Sequence, residues 1–222
     1  MTDNISSAFM HMINPVQYSE DNVNTEACTN CAQEHNICCK CLPCYIAPED
    51  VKDKTLQGLI NLINTNVVSL DWYVGDPREE GFKEKFTDKT NIFHDKTIDD
   101  KYFFLRARAK DKPIVHPALF QCECIFLTDI GCMLPYCYRP KGGRELLPPY
   151  CKNNPTDKCQ NNYSKQQCAI DWIPYHDTLR ELYQYCIDNK KDKATDKDSE
   201  TEKNLDTIID LFSVLSQYSS TQ

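Results

Sequence analysis

Long apolar runs are missing from this chain of 222 residues. It has no stretch of about 18 consecutive apolar residues, the length that would predict a membrane-spanning helix. The first residues, MTDNISSAFMHMINPVQYSE, have neither the basic segment nor the apolar core of a signal peptide. We therefore expect a cytoplasmic protein. In a reducing cytosol, clustered cysteines are more often metal ligands or catalytic thiols than disulfides.

Positive charge and nucleotide-binding motifs are also scarce. The net charge of −8 opposes binding to phosphate backbones and to anionic lipid surfaces. No P-loop, no G-x-G-x-x-G turn and no G-x-S-x-G nucleophile elbow occurs in the sequence. We therefore expect no nucleic-acid partner, no membrane partner and no nucleotide cofactor.

Cysteine is what the chain has in excess, with 14 residues. Six of them lie in CTNCAQEHNICCKCLPC, residues 28 to 44. Cys28 and Cys31 form a CxxC pair, a spacing that lets two thiolates from one turn reach a single metal ion. Cys38 and Cys39 are adjacent. Because successive side chains tend to point apart, this pair favours two metal ions or two edges of one cluster.

Two alternatives to a purely sulfur-ligated site follow from the same stretch. His35 lies between the cysteines and could supply a nitrogen ligand, although a histidine in a polar loop is more often solvated. The CxxC pair could also be a redox dithiol, but no βαβ pattern of a thioredoxin-like protein surrounds it. The excess of cysteine over histidine favours an iron–sulfur cluster or a zinc thiolate site over carboxylate-rich mononuclear iron.

A second group of thiols lies far along the chain. Its members are Cys122, Cys124, Cys132, Cys137 and Cys151. A metal ion shared between the two groups would close the long loop after Cys44, constrain the unfolded chain and become part of the fold. The remaining thiols, which we expect to be buried and to act as small apolar residues, are Cys159, Cys168 and Cys186.

Hydrophobic patterning predicts further elements in the first half of the chain. APEDVKDKTLQGLINLINTN predicts a helix from Ala47, with Pro48 in its first turn and an apolar stripe along one face. Residues 70–100 mix aromatics with turn formers and indicate an ordered loop whose Trp72 and Tyr73 pack on the core. KYFFLRARAKDKPIV is compatible with a strand or a helix.

Two more elements follow. CECIFLTDIGCML predicts a β-hairpin whose turn brings Cys124 and Cys132 near each other. In SKQQCAIDWIPYHDTLRELYQYCIDNKK, Ser164 and Gln167 predict a capping box, and Pro174 should kink or split the helix.

These patterns together predict a small, irregular, mainly α domain with a short β-hairpin. Metal bound by cysteines would hold this domain together. The predicted organisation has four parts. They are a polar N-terminal segment at 1–27 that wraps the surface or frays, a cysteine-cluster metal-binding domain at 28–187, a charged linker at 188–203 and a C-terminal amphipathic helix at 204–222. The helix docks on the domain or on a protein or peptide partner.

Three stretches of the sequence carry a resemblance to a known family. They are the opening cysteines Cys28, Cys31, Cys38 and Cys39, the helix start IAPEDV, and the block CIFLTDIGCMLPYCYRPKGGRELLPPYC. Together they resemble the YkgJ-like cysteine-cluster family, described as a zinc- or iron-chelating domain. The resemblance covers roughly Cys28 to Tyr185, with DWYVGDP and YFFLRAR similar to features of one branch.

The resemblance implies a set of metal ligands. The best candidates are Cys28, Cys31, Cys38, Cys39, Cys124, Cys132 and Cys151, and Cys41 and Cys44 come next on proximity alone. Two departures matter: the gap between Cys31 and Cys38 is longer than usual, and Gly143 stands where many members have a cysteine after the Arg-Pro pair. The cysteines that would compensate are Cys41, Cys44, Cys122 or Cys137.

Three functions stay open on the sequence. The first is a protein that holds one or two cysteine-ligated centres, iron–sulfur or zinc, with redox or modification chemistry. The second is an enzyme with an open metal position, and the third is a structural zinc scaffold or adaptor that binds a protein partner. Arg139 and Arg144 would neutralise thiolate charge, bind an anionic substrate or pair with a carboxylate.

Overall fold

The structure is a computed structural model that describes residues 2–17, 39, 42–79, 100–117, 122–129, 131–147 and 160–189. All of them belong to one compact unit, Met1–Lys191. In this part of the chain 41% of residues are helical and 23% are in strands, spread over several small sheets. The prediction of a mainly α fold is therefore wrong, and the protein has a mixed α and β architecture.

The helices and strands are short. The described helices are α1 (Thr2–Met12), α2 (Leu56–Asn64), α3 (Lys141–Arg144), α4 (Lys165–Trp172) and α5 (His176–Asp188). The described strands are β1 (Tyr45–Ile46), β2 (Val68–Val74), β3 (Lys101–Ala107), β4 (Leu127–Thr128), β5 (Gly131–Cys132), β6 (Leu146–Leu147) and β7 (Gln160–Asn161). Within these ranges no helix has the length and apolarity needed to cross a membrane.

A three-stranded antiparallel sheet with the order β1-β3-β2 organises the core. Strand β3 is hydrogen-bonded on both edges, so that Leu105 lies opposite Ile46 on one side and opposite Leu70 on the other. Six of the seven residues of β3 are buried. Because both faces of the strand are covered, its sequence is a continuous apolar and aromatic run instead of an alternating one. For this reason the sequence does not distinguish a strand from a helix here.

Helices α4 and α5 pack on this sheet. Trp172 at the end of α4 is fully buried, and its indole Nε1 donates to the carbonyl oxygen of Ile46 at 2.7 Å. Cys168 and Cys186 are also fully buried, as predicted for thiols that act as small apolar residues. Cys159 lies outside the described residues.

The start of α4 and the break after it follow the prediction. The Ser164 hydroxyl accepts a hydrogen bond from the amide of Gln167 at 3.1 Å, which confirms the N-cap half of the predicted capping box. The Gln167 side chain instead donates to Asp171, so the reciprocal half of the box is not borne out. Pro174 lies in a 3-10 turn, Ile173–Tyr175, between the two helices. The predicted split of the helix is therefore confirmed.

The described part of the N-terminal segment, residues 2–17, contributes to the core and does not only wrap the surface. Helix α1 carries Phe9, and both Phe9 and the following Ile13 are fully buried. The Phe9 ring lies 5.0 Å from the ring of Phe126, measured between centroids. The apolar residues of this segment are too few to give a clear helical period, so the sequence predicts no helix here.

Helix α2 begins later than predicted. The sequence predicts a helix from Ala47, but Pro48–Asp50 form a 3-10 turn and Val51 is extended. The helix begins after Thr55, whose hydroxyl accepts a hydrogen bond from the amide of Gly58 at 3.2 Å. Such a cap stabilises a helix start by about 1 kcal/mol, which sets the boundary at this residue.

The first part of the predicted loop at 70–100 is strand β2. The strand pairs with β3 along its whole length. Trp72 and Tyr73 are 6% and 4% exposed, so their predicted packing on the core is confirmed although their element is a strand. Residues 80–99, and the predicted linker and helix beyond residue 189, lie outside the described residues.

A buried ion pair joins β3 to β2. Arg106 and Asp71 are both 0% exposed, and Arg106 Nε donates to Asp71 Oδ2 at 2.8 Å. The guanidinium also donates to the carbonyl oxygens of Ala107 and His116, and Asp71 Oδ1 accepts from the amide of Trp72. Buried charges are tolerated when they are paired and hydrogen-bonded, and both conditions are met here.

Helix α3 lies directly against β1. A Cβ atom at Gly142 would lie 2.6 Å from the amide nitrogen of Tyr45 and 2.8 Å from its carbonyl oxygen. This close approach of two backbones requires glycine. At the neighbouring Gly143, the nearest atom to an added Cβ is Cys44 Sγ at 3.6 Å, an ordinary van der Waals contact.

We expect Arg106→Met to lower the free energy of unfolding by about 3–5 kcal/mol, because it leaves the Asp71 charge buried without its partner. The double variant Arg106→Met/Asp71→Leu should recover most of this loss, since no unpaired charge remains. Urea unfolding followed by circular dichroism measures both. Equal destabilisation by the single and double variants would contradict this account of the pair.

We expect Gly142→Ala to destabilise the protein by about 1–3 kcal/mol, because the added methyl overlaps the Tyr45 backbone. Gly143→Ala is the matched control, since it changes the same residue type in the same helix. It should change the free energy of unfolding by less than about 0.5 kcal/mol. Thermal and urea unfolding of the two variants compare them, and similar values for both would refute the proposed overlap.

Candidate functional site

The predicted ligands divide into two groups. Those within the described residues are Cys39, Cys44, Cys124 and Cys132. Those outside the described residues are Cys28, Cys31, Cys38, Cys41 and Cys151. None of the eight cysteines that the structure describes forms a disulfide.

The end of strand β3 fixes the backbone at three of the candidate cysteines. The amide of Ala107 donates to the carbonyl oxygen of Cys44 at 2.9 Å, which extends the pairing with β1 by one residue. Further on, Ala109 forms an antiparallel bridge with Cys124. The amide of Cys124 in turn donates to the carbonyl oxygen of Cys39 at 2.7 Å. Segments that are distant in the sequence therefore meet at one strand end.

The fourth candidate, Cys132, belongs to the β4–β5 hairpin that follows Cys124. Leu127 lies opposite Cys132 and Thr128 opposite Gly131, so the hairpin predicted from the sequence is confirmed. Gly131 has a φ of 110°, a backbone conformation that favours glycine. The hairpin thus depends on a glycine next to the candidate ligand.

The thiols of Cys44 and Cys124 are hydrogen-bonded to each other. This hydrogen bond, together with burial, raises the pKa of Cys44 well above its ordinary value. The same hydrogen bond lowers the pKa of Cys124. The hydrogen bond therefore favours the protonated form of Cys44 and the ionised form of Cys124.

Further donors surround the Cys124 sulfur. The backbone amides of Phe126 and Cys44 donate to it, and the positive charge of Arg106 acts in the same direction. These interactions lower the pKa of Cys124 although burial opposes them, with 3% of the residue exposed. Amide donors of this kind also tune the sulfur ligands of metal centres.

Cys39 and Cys132 lie within electrostatic range of this pair. Electrostatic repulsion from each of them raises the pKa of Cys44 further. Both residues are partly exposed. Within the described ranges, however, no three cysteine, histidine or acidic side chains converge as a ready metal site. The site is therefore a contacting thiol pair with two further thiols nearby, and the predicted metal stays a prediction.

Gly143 borders the thiol pair. Because a Cβ atom at this position would lie 3.6 Å from Cys44 Sγ, a cysteine here would direct its sulfur into the same space. Cys44 is one of the cysteines that could replace the ligand missing at position 143, and its sulfur lies next to this position. Cys41 lies outside the described residues.

Asp50, at the end of the 3-10 turn in IAPEDV, ties this segment to the RPKGGR segment. Its carboxylate is 1% exposed and accepts hydrogen bonds from the amides of Ala47 and Lys141, at 2.8 and 2.9 Å. Arg144 Nη2 donates to the other carboxylate oxygen at 2.9 Å. Burial raises the pKa of Asp50, and these donors act against that rise. Of the three roles that the sequence leaves open for Arg144, the contact supports pairing with a carboxylate.

Arg139 makes local contacts. Its Nε donates to the carbonyl oxygen of Leu134 at 3.1 Å, and its guanidinium lies 5.7 Å from the centre of the Tyr136 ring. The carbonyl oxygen of Arg139 accepts from the Arg144 guanidinium. These contacts give the Arg-Pro segment a structural role beside Cys137.

Sequence reasoning missed the two charged residues that position the thiols. Arg106 does carry a signal, because an arginine in an otherwise apolar strand needs a buried partner. Asp50 carries none, since an acid in the first turn after a proline is typical of an exposed helix start. Sequence reasoning also ranked Cys44 on proximity alone, although its thiol is one half of the contacting pair.

No family model, no curated protein and no solved structure matches this chain. The resemblance to the YkgJ-like cysteine-cluster family therefore rests on the quoted residues and stays a prediction.

Proposed function

We propose that the protein binds metal through cysteine thiolates and holds one or two centres, either iron–sulfur or zinc. The observation that carries this proposal is the contact between the Cys44 and Cys124 thiols, with the amides of Cys44 and Phe126 directed at the Cys124 sulfur. A buried sulfur supplied with amide donors is a typical environment for a metal-ligating cysteine.

The donor set suits soft metals. Cysteine sulfur selects zinc, cuprous copper and iron–sulfur clusters over magnesium or calcium, which prefer oxygen ligands. Bound zinc would join the end of β3 to the hairpin and stabilise the fold, whereas an iron–sulfur cluster would supply electron transfer. The resemblance to a zinc- or iron-chelating family supports the same two metals.

A four-coordinate site needs two ligands beyond Cys44 and Cys124. Cys39 and Cys132 are the described cysteines whose charge acts on Cys44, and we propose them as the next ligands. Candidates for the same site or for a second one are Cys28, Cys31, Cys38, Cys41 and Cys151.

The burial of Cys124 favours a closed site. Cys124 is 3% exposed, and a site closed by four sulfurs leaves no position for a substrate. This observation supports the second candidate function, a structural zinc scaffold, ahead of an enzyme with an open metal position.

Protein purified anaerobically without added metal should contain at least one zinc or iron ion per chain. Cys124→Ser should weaken metal binding by more than about 10-fold, since even residues that only orient ligands contribute about 10–100-fold. Metal analysis by mass spectrometry, with a visible absorption spectrum to reveal iron–sulfur centres, measures both. Cys186→Ala is the control, because this fully buried thiol is expected to act as a small apolar residue and not as a metal ligand. Wild-type protein without metal, or equal loss in the control, would refute the proposal.

Gly143 offers a rescue experiment for Cys44. We expect Cys44→Ser to lower the metal content, and Cys44→Ser/Gly143→Cys to restore part of it, because position 143 directs a side chain toward the Cys44 sulfur. Cys44→Ser/Gly143→Ser is the matched control and should restore nothing. Full metal content in the Cys44→Ser variant would show that Cys44 is not a ligand.

A further inference from the structure

The hydrogen bond between the Cys44 and Cys124 thiols also brings two oxidisable sulfurs into contact. The amide of Cys44 reaches the Cys124 sulfur as well, so the backbone at residue 44 lies close to the Cys124 side chain. A disulfide requires this closeness, because its two Cα atoms are usually less than about 7 Å apart.

The backbone at both residues is held by the same strand. Ala107 binds the carbonyl oxygen of Cys44, and Ala109 forms a bridge with Cys124. Both backbones are therefore held beside the same short stretch of chain. Cys44 is partly exposed, which gives a small oxidant access to the pair even though Cys124 is buried.

We propose that Cys44 and Cys124 form a redox modification site, a reversible disulfide made by a peroxide such as hydrogen peroxide. The disulfide would link the segment before β1 to the segment before the β4–β5 hairpin. No described cysteine forms a disulfide in this structure, so the bond would be new to the fold.

The reaction balances with one peroxide molecule. One sulfur attacks a peroxide oxygen, so that an S–O bond forms, the O–O bond breaks and the first water leaves, giving a sulfenic acid. The second sulfur then attacks the first: the S–S bond forms, the S–O bond breaks and the hydroxyl group leaves as the second water with the remaining thiol proton. The two sulfurs give up two electrons in total, and a dithiol reductant reverses the change.

The consequence for bound metal rests on the proposed function. Metal ligation requires thiolates, and a disulfide removes two of them at once. Oxidation of the pair would therefore release the metal ion. In that case the same two residues would both hold the metal and make its retention sensitive to peroxide.

The experiment uses the full chain as purified, treated with one equivalent of hydrogen peroxide. Remaining thiols are then alkylated, and the chain is digested without reduction and mapped by mass spectrometry. We expect one cross-linked peptide that joins Cys44 to Cys124, a loss of two titratable thiols per chain, and reversal of both by dithiothreitol. Cys44→Ser and Cys124→Ser should abolish this peptide, whereas Cys137→Ser should leave it unchanged.

Two results would overturn the inference. One is preferential cross-linking to Cys39 or Cys132, and the other is oxidation to sulfinic acid without any cross-link. Bound metal could shield the two thiols from peroxide. The same mapping is therefore repeated on protein from which a chelator has removed the metal. Absence of the cross-link in both preparations would overturn the proposal outright.

Metal release, measured in parallel with a chromogenic chelator, separates this inference from the proposed function. A protein that carries no metal but forms the Cys44–Cys124 disulfide refutes the metal-binding function and supports the modification site. A protein that holds its metal stoichiometrically and never forms the cross-link supports the metal-binding function and refutes the modification site. Release in step with cross-linking supports both.

Discussion

The site depends on the hydrogen bonds made at the end of strand β3. Ala107 and Ala109 lie two residues apart, and they hold the backbones of Cys44 and Cys124. The two thiols are far apart in the sequence, so they meet only when Ala107 and Ala109 are paired with their two segments. The position of each sulfur is therefore a property of the sheet, and the metal and redox proposals both depend on it.

Two buried charges support that arrangement. Arg106 pairs with Asp71 inside the sheet and also lowers the pKa of Cys124, so one guanidinium stabilises a buried carboxylate and favours the ionised form of a thiol. Asp50 gathers donors from two segments and keeps α3 against β1, which leaves Gly143 beside Cys44. A buried carboxylate is costly unless its oxygens are hydrogen-bonded, so these contacts are required for the fold and for the surroundings of the pair.

Local signals in the sequence predicted local structure well. The Ser164 cap, the split at Pro174 and the hairpin before Cys132 were all predictable, because each depends on residues that are neighbours in the chain. The mainly α fold was wrong because β3 is buried on both faces and lacks the alternation by which a half-buried strand is identified. The core position of Phe9 was missed because it depends on partners such as Phe126, far away in the sequence.

The candidate site was predicted in its residue type but not in its contacts. The β-prone residues around a short turn predicted the hairpin that contains Cys132 and follows Cys124. Nothing in the sequence, however, indicates that Cys44 touches Cys124 or that position 143 faces the same space. Contacts of this kind come from the register of β1 and β3, which is set by packing across the whole sheet.

X-ray absorption spectroscopy at the metal edge of the anaerobically purified protein tests the central claim most directly. The account predicts a coordination shell dominated by sulfur at about 2.3 Å, with one sulfur fewer in the Cys44→Ser variant. A shell of nitrogen and oxygen, or a sulfur shell that is identical in the two proteins, would contradict it.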